Sequence, residues 1–188
     1  MANGRKATGI IMAVLIMLCA ISNIFLLTRP EVRAIPKIGT VLNLFALASA
    51  VVYCISGYRK QSQIYYKGFF LFYALHLLTG TVGMIMDFKA SAMAAAWVLA
   101  FEITFANLMI LLVSENLGAK KSKTIALLNT CIWAGFLIHH FIFKSHTIGI
   151  YTIRILSYFM SAILITVLIY AKYADKKERK PFAGDKEL

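Results

Sequence analysis

The amino-acid sequence predicts an all-α integral membrane protein, a bundle of six transmembrane helices with both termini in the cytoplasm. The chain has 188 residues, of which 60% are hydrophobic, and its mean hydropathy is +0.75. Six apolar segments without proline fill most of it, and each has the roughly 20 residues that a helix needs to cross a bilayer. The segments are Thr8–Thr28, Ile38–Tyr58, Gly68–Met86, Ser91–Val113, Thr124–Phe143 and Gly149–Ala171.

Lysine and arginine are distributed unevenly among the connections. The two ends of the chain and the second and fourth connections carry fourteen of these residues, whereas the other three connections carry five. Short loops rich in lysine and arginine stay in the cytoplasm, and this rule places both termini there. The net charge of +12 then follows from topology, so the sequence predicts the bilayer as a partner and no nucleic acid. We expect a bacterial plasma membrane as the location.

The first segment follows Arg5 and Lys6, as the apolar run of a secretory signal would. That run is longer than in a signal peptide and lacks a clear cleavage site, so we expect a retained first helix. The loop at residues 29–37 contains Pro30 and Pro36 and is predicted to be extended. Residues 1–173 form one domain in this interpretation, and the basic tail at 174–188 is predicted to be disordered and cytoplasmic.

The second and third segments carry small and polar residues at helical spacing. Such faces turn toward other helices, because small residues allow two backbones to approach closely. We therefore expect the face of the third segment to point into the bundle, and the face of the second to pack closely within the bundle or between copies. They consist of Asn43, Ala46, Ala50 and Cys54 in the second segment, and of His76, Thr79, Gly80, Gly83 and Asp87 in the third.

Glu102 lies near the middle of the fourth segment. Counting from the short turn between the third and fourth segments puts it at the depth of His76 on the neighbouring helix. A contact between the two side chains would reduce the cost of burying either group, so we expect one. The fourth segment also opens with alanines that favour close contact within the bundle or between copies. These are Ala92, Ala94, Ala95 and Ala96.

Polar residues also repeat at helical spacing in the fifth and sixth segments. Asp87, His139, His140 and Arg154 lie in the outer third of the membrane, and Asn23 and Asn43 reach a comparable level. Their convergence predicts a site that opens to the outside. The repeated positions are Asn129, Trp133 and His140 in the fifth segment, and Arg154, Ser157, Tyr158 and Ser161 in the sixth.

The predicted function is the binding or transport of a small molecule in the outer half of the bundle, since ionisable residues at membrane depth are costly to keep. Arginine and histidine would engage an anionic group, while the two carboxylates would favour a cation or a hydroxyl. The expected ligand-binding residues are His76, Asp87, Glu102, Trp133, His140, Arg154 and Tyr158. The expected supporting polar residues are Asn23, Asn43, Thr79, Ser157 and Ser161.

In size, helix count and placement of the termini, the predicted protein is similar to the substrate-binding subunits of energy-coupling-factor vitamin importers. The similarity is one of architecture, and it implies a small-molecule site. Two other hypotheses stay open at this point. One is a membrane sensor or assembly subunit that docks a cytoplasmic partner through Lys120, Lys121, Lys123 and the tail, and the other is an intramembrane lipid enzyme that uses His76 and Glu102.

No motif in the sequence assembles a nucleophile, a base and an orienting group, so the sequence favours a role other than catalysis. His76 and His140 differ in depth by roughly 10 Å, which disfavours a haem held between them. A zinc site would need His140, Asp87 and a third ligand from another segment. The sequence identifies no metal site and no cofactor.

The predicted topology is testable with single cysteines at Ser62 and Ser145, in a chain whose Cys19, Cys54 and Cys131 are replaced by alanine. A membrane-impermeant maleimide added to intact cells should label Ser145→Cys, in the fifth connection. It should label Ser62→Cys, in the second connection, only after lysis. Labelling of Ser62→Cys in intact cells would contradict the assignment of the basic loops to the cytoplasm.

Overall fold

The structure, a computed structural model, describes residues 2–56, 63–86, 92–113, 117–143 and 149–178. These residues form six α-helices and contain no strand, so the predicted all-α bundle of six helices is confirmed. The helices are α1 (Ala2–Thr28), α2 (Ala34–Ile55), α3 (Gln63–Met86), α4 (Ala92–Val113), α5 (Ala119–Phe143) and α6 (Ile150–Glu178).

The helices form a membrane bundle. Within the described residues, five of them, α1, α2, α4, α5 and α6, are long and apolar enough to cross a bilayer. The remaining helix, α3, has 24 residues and packs between α2 and α4. Large apolar side chains such as Ile10, Met17 and Ile24 are exposed on the outside of the bundle, where lipid rather than water solvates them.

Consecutive helices pack antiparallel, and α1 also packs on α6, so the six helices form a closed ring. Paired contacts at both ends establish the direction: His140 meets Thr152 near one end of α5 and α6, and Ser122 meets Tyr173 near the other. The ring is closed by Cys19 of α1, whose Sγ lies 3.8 Å from Ser161 Oγ. The start of α1 and the end of α6 therefore lie at the same end of this ring of helices. The opposite end, which topology predicts to face outside, is called the outer end below.

The small-residue faces of α2 and α4 have different surroundings. Ala46 and Ala50 of α2 are completely buried, which agrees with the expected contact inside the bundle. Ala95 and Ala96 of α4 are exposed on the outside of the ring. The alanines at the start of α4 therefore do not all serve packing within one copy.

Two helix boundaries differ from the sequence prediction. The prediction of an extended loop at residues 29–37 was wrong for its second half, because α2 begins at Ala34 and contains Pro36 in its first turn. Proline is accommodated there since the first turn of a helix does not use its N–H groups. At the other end of the chain α6 continues to Glu178, so part of the predicted tail is helical. Residues 179–188 lie outside the described residues.

Glycines set the close approach of α2 and α3. A methyl group added at Gly39 would overlap the Thr79 hydroxyl and would lie 3.1 Å from His76 Nδ1. A methyl group at Gly83 would lie 3.2 Å from Pro36 Cγ. The glycine stripe of the third segment therefore packs against a neighbouring helix, as its spacing predicted.

We predict that Gly39→Ala lowers the free energy of unfolding by about 1–3 kcal/mol, because the helices must separate to admit the methyl group. Gly135→Ala is the control, since a methyl group at this exposed glycine of α5 meets no atom within 4 Å. Thermal unfolding in mild detergent measures both variants. Equal stability of the two would contradict the close approach of α2 and α3.

Candidate functional site

A stack of three rings from three helices crosses the interior of the bundle. The imidazole of His76 in α3 stacks on the phenol of Tyr158 in α6, with ring centroids 5.0 Å apart and planes inclined by 20°. The other neighbour of Tyr158 is the indole of Trp133 in α5, at 4.6 Å and 19°. All three side chains are buried. The stack thus joins α3 to α6, which are not consecutive in the chain, at the centre of the helix bundle.

Aromatic residues of α4 complete the wall around this stack. The ring of Phe101 meets Tyr158 edge-on at 5.0 Å, and Trp97 meets Trp133 edge-on at 5.9 Å. Gly80 of α3 makes room for the stack, because a methyl group there would lie 2.9 Å from the Tyr158 hydroxyl oxygen. Edge-on and offset arrangements suit the quadrupoles of aromatic rings, so this packing contributes energy beyond the area it buries.

Arg154 lies one helical turn before Tyr158, toward the outer end of α6. Its side chain is only partly buried, and its positive charge acts on both His76 and Tyr158. Ser157 and Ser161 follow on the same stripe and are buried. The sixth helix therefore presents a cation near the outer end and hydroxyl groups deeper in the interior.

Two buried asparagines connect α1 and α2. The Asn43 side-chain amide donates to Asn23 Oδ1 at 3.3 Å, and the Asn23 amide donates to the Cys19 carbonyl at 2.7 Å. Both residues are completely buried. Their hydrogen bond puts Asn23 and Asn43 at the same level of the bundle. That this level is the one of His140 and Arg154 stays a prediction.

Several buried polar atoms have no hydrogen-bond partner within the described residues. His76 Nδ1 is one of them, because it approaches Gly39 without forming a hydrogen bond of good geometry. A buried polar group without a partner is unfavourable, and native proteins contain few of them. Four of these atoms belong to residues of the predicted site: Asn43 Oδ1, His76 Nδ1, Trp133 Nε1 and Ser157 Oγ.

The structure separates His76 from Glu102. Glu102 is exposed on the outside of α4, next to the buried Phe101, whereas His76 is 6% exposed in the interior. No hydrogen bond joins their side chains within the described residues, so the expected contact is not formed. The reason is rotational: the two residues are at a similar depth, but Glu102 points away from the centre of the ring.

The remaining predicted residues are divided between the site and its surroundings. His140 contacts the start of α6, with Nε2 2.7 Å from the Thr152 hydroxyl, which also accepts a hydrogen bond from the Gly149 amide. The Thr79 hydroxyl donates to the backbone carbonyl of His76. Asp87 lies outside the described residues. His140 therefore links α5 to α6, while Thr79 lies at the edge of the interior site.

Sequence reasoning missed Trp97, Phe101 and Tyr73 as walls of the site. Tyr73 lies one turn before His76, with ring centroids 5.8 Å apart. Trp97 and Phe101 have the spacing i, i+4, which places them on one face of α4. That spacing was visible in the sequence, but the polar Glu102 beside Phe101 indicated a different inward face.

The described residues contain no group of three His, Cys, Asp or Glu side chains placed to hold a metal ion. The chain matches no known family model, and neither a curated protein nor a solved structure is significantly similar to it. The site has to be interpreted from its own chemistry.

We predict that Tyr158→Leu disrupts the stack while Tyr158→Phe preserves it, because the ring rather than the hydroxyl contacts His76 and Trp133. Both tryptophans of the chain contact Tyr158, so near-ultraviolet circular dichroism and tryptophan fluorescence report on the stack directly. Loss of the stacking contacts should lower stability by about 1–3 kcal/mol. The matched control is Tyr170→Leu, at an exposed tyrosine of the same helix. Identical spectra for the two leucine variants would contradict the stack.

Proposed function

We propose that this protein binds a small anionic molecule in the outer half of its helix bundle, either as a binding protein or as a transporter of that molecule. The observation that carries the proposal is the set of buried polar atoms without partners in the interior. One of them belongs to His76, which lies close enough to Arg154 for the positive charge to act on it. A ligand that hydrogen-bonds these atoms would remove the cost of leaving them unpaired. Arg154 is only partly buried, so it is available to a ligand that enters from the outer end.

The charge of the interior favours an anion. Among the residues whose burial is described, no aspartate or glutamate is buried. The sequence alone left a cation or a hydroxyl open because of Asp87 and Glu102. Asp87 lies outside the described residues, and Glu102 lies on the outside of α4. Arginine recognises carboxylate and phosphate groups through paired hydrogen bonds, so either group suits Arg154.

The neutral groups near the stack suit the rest of such a molecule. Trp133 Nε1 is a donor only, whereas the Ser157 hydroxyl both donates and accepts. Asn43 Oδ1 offers an acceptor. Together with the aromatic rings, these groups favour a ligand with one acidic group and an apolar or planar body that carries a hydroxyl or carbonyl.

The arrangement disfavours the lipid-enzyme hypothesis. That mechanism requires a histidine and a carboxylate at one reacting centre, and proton transfer requires hydrogen-bond reach. His76 and Glu102 point to different surroundings, one to the interior and the other to the outside. Binding without chemistry is therefore the function that the geometry supports best.

Native mass spectrometry of the protein purified from its own membrane in mild detergent tests the proposal. The wild type should carry a small acidic molecule, identified after release, and Arg154→Gln should bind it at least about tenfold more weakly because a charge-assisted hydrogen bond is lost. Arg29→Gln is the matched control at the outer end, where this arginine lies over the Phe25 ring. Equal binding by both variants, or a wild type without any bound small molecule, would contradict the proposal.

A further inference from the structure

One face of α4 forms a straight seam on the outside of the bundle. The α4 seam consists of Ala95, Leu99, Glu102, Ala106, Met109 and Val113, all exposed except for the partly buried Met109. Its spacings alternate between four and three residues, the repeat that keeps one face of a helix against a partner helix. Seams of this kind suit left-handed packing of two transmembrane helices at a shallow crossing angle.

Glu102 is the unusual member of this seam. It lies midway along α4, in the part of the helix that crosses the membrane. Its side chain has no hydrogen-bond or ion-pair partner within the described part of the chain. A carboxyl group exposed to hydrocarbon is unfavourable, and the residues that carry one in a membrane protein nearly always face a partner or a cavity.

We propose that the α4 seam is the contact between two copies of this chain, with Glu102 of one copy against Glu102 of the other. A carboxylic acid group has one donor and one acceptor. Two such groups satisfy each other through a closed pair of hydrogen bonds. A two-fold axis parallel to the helices brings the same residue to the same depth in both copies, so the pairing requires no second type of side chain.

The neighbours of Glu102 on the seam suit a close approach. Ala95 lies two turns before it and Ala106 one turn after it, and small residues at these positions allow the two backbones to come together. The exposed side chains at the same level of α3 are Leu75 and Leu78, which have no polar group to satisfy. Lipid tails offer neither a donor nor an acceptor, so lipid does not satisfy Glu102. Glu102 therefore distinguishes the α4 seam from this face of α3.

Disulfide cross-linking in native membranes tests this contact. The cysteine-free chain receives either Ala106→Cys on the seam or Leu78→Cys on the exposed face of α3. The first should form a covalent dimer on mild oxidation, and the second should remain monomeric. Adding Glu102→Leu should weaken association by about tenfold or more, whereas Glu102→Gln should retain it, because an amide also donates and accepts.

Three results would overturn the proposal: equal cross-linking at the two positions, no effect of Glu102→Leu, or cross-linking of Ala106→Cys to a different protein. Near-ultraviolet circular dichroism should show that Glu102→Leu is folded, since the side chain is exposed. If that variant fails to fold, energy transfer between labelled copies in lipid vesicles provides a test with Glu102 intact. Ala106→Phe should reduce the transfer and Leu78→Phe should not, and equal transfer would overturn the proposal.

Discussion

The structure depends on one side chain more than on any other, because Tyr158 connects four of the six helices. From α6 its ring contacts His76 of α3, Phe101 of α4 and Trp133 of α5, and its hydroxyl fits against Gly80. In a bilayer the hydrophobic effect gives helices little reason to associate, so complementary packing has to hold them. At the centre of the six helices, aromatic side chains of α4, α5 and α6 pack against one another and against His76 of α3.

The packed interior also buries polar atoms of α2, α3, α5 and α6 that have no hydrogen-bond partner among the described residues. An unpaired donor or acceptor in such a place is costly. Arg154 lies at the outer border of this region and has no buried carboxylate opposite it among the described residues. Stability alone would favour apolar residues at these positions. In the proposed function, a bound molecule would complete the hydrogen bonds of these polar atoms.

Hydropathy and spacing were sufficient to predict the number of helices, their approximate bounds and the inward direction of the stripe that contains His76, Gly80 and Gly83. The rotation of α4 was beyond such reasoning. That helix is apolar on every side, so its one charged residue suggested an inward face, whereas Phe101, the adjacent residue, is the one that reaches Tyr158. Pro36 was similarly misleading, because proline fits the first turn of α2 as well as it fits a loop.

We propose that a small anionic molecule binds in the interior between α3 and α6, near Arg154. An experimental density map of the protein, purified from its own membrane in mild detergent, would show whether it does. We expect density that belongs to neither protein nor water, within hydrogen-bonding distance of Arg154 and of Ser157 or His76. A map in which protein side chains fill this region and pair its polar atoms with one another would contradict the proposal.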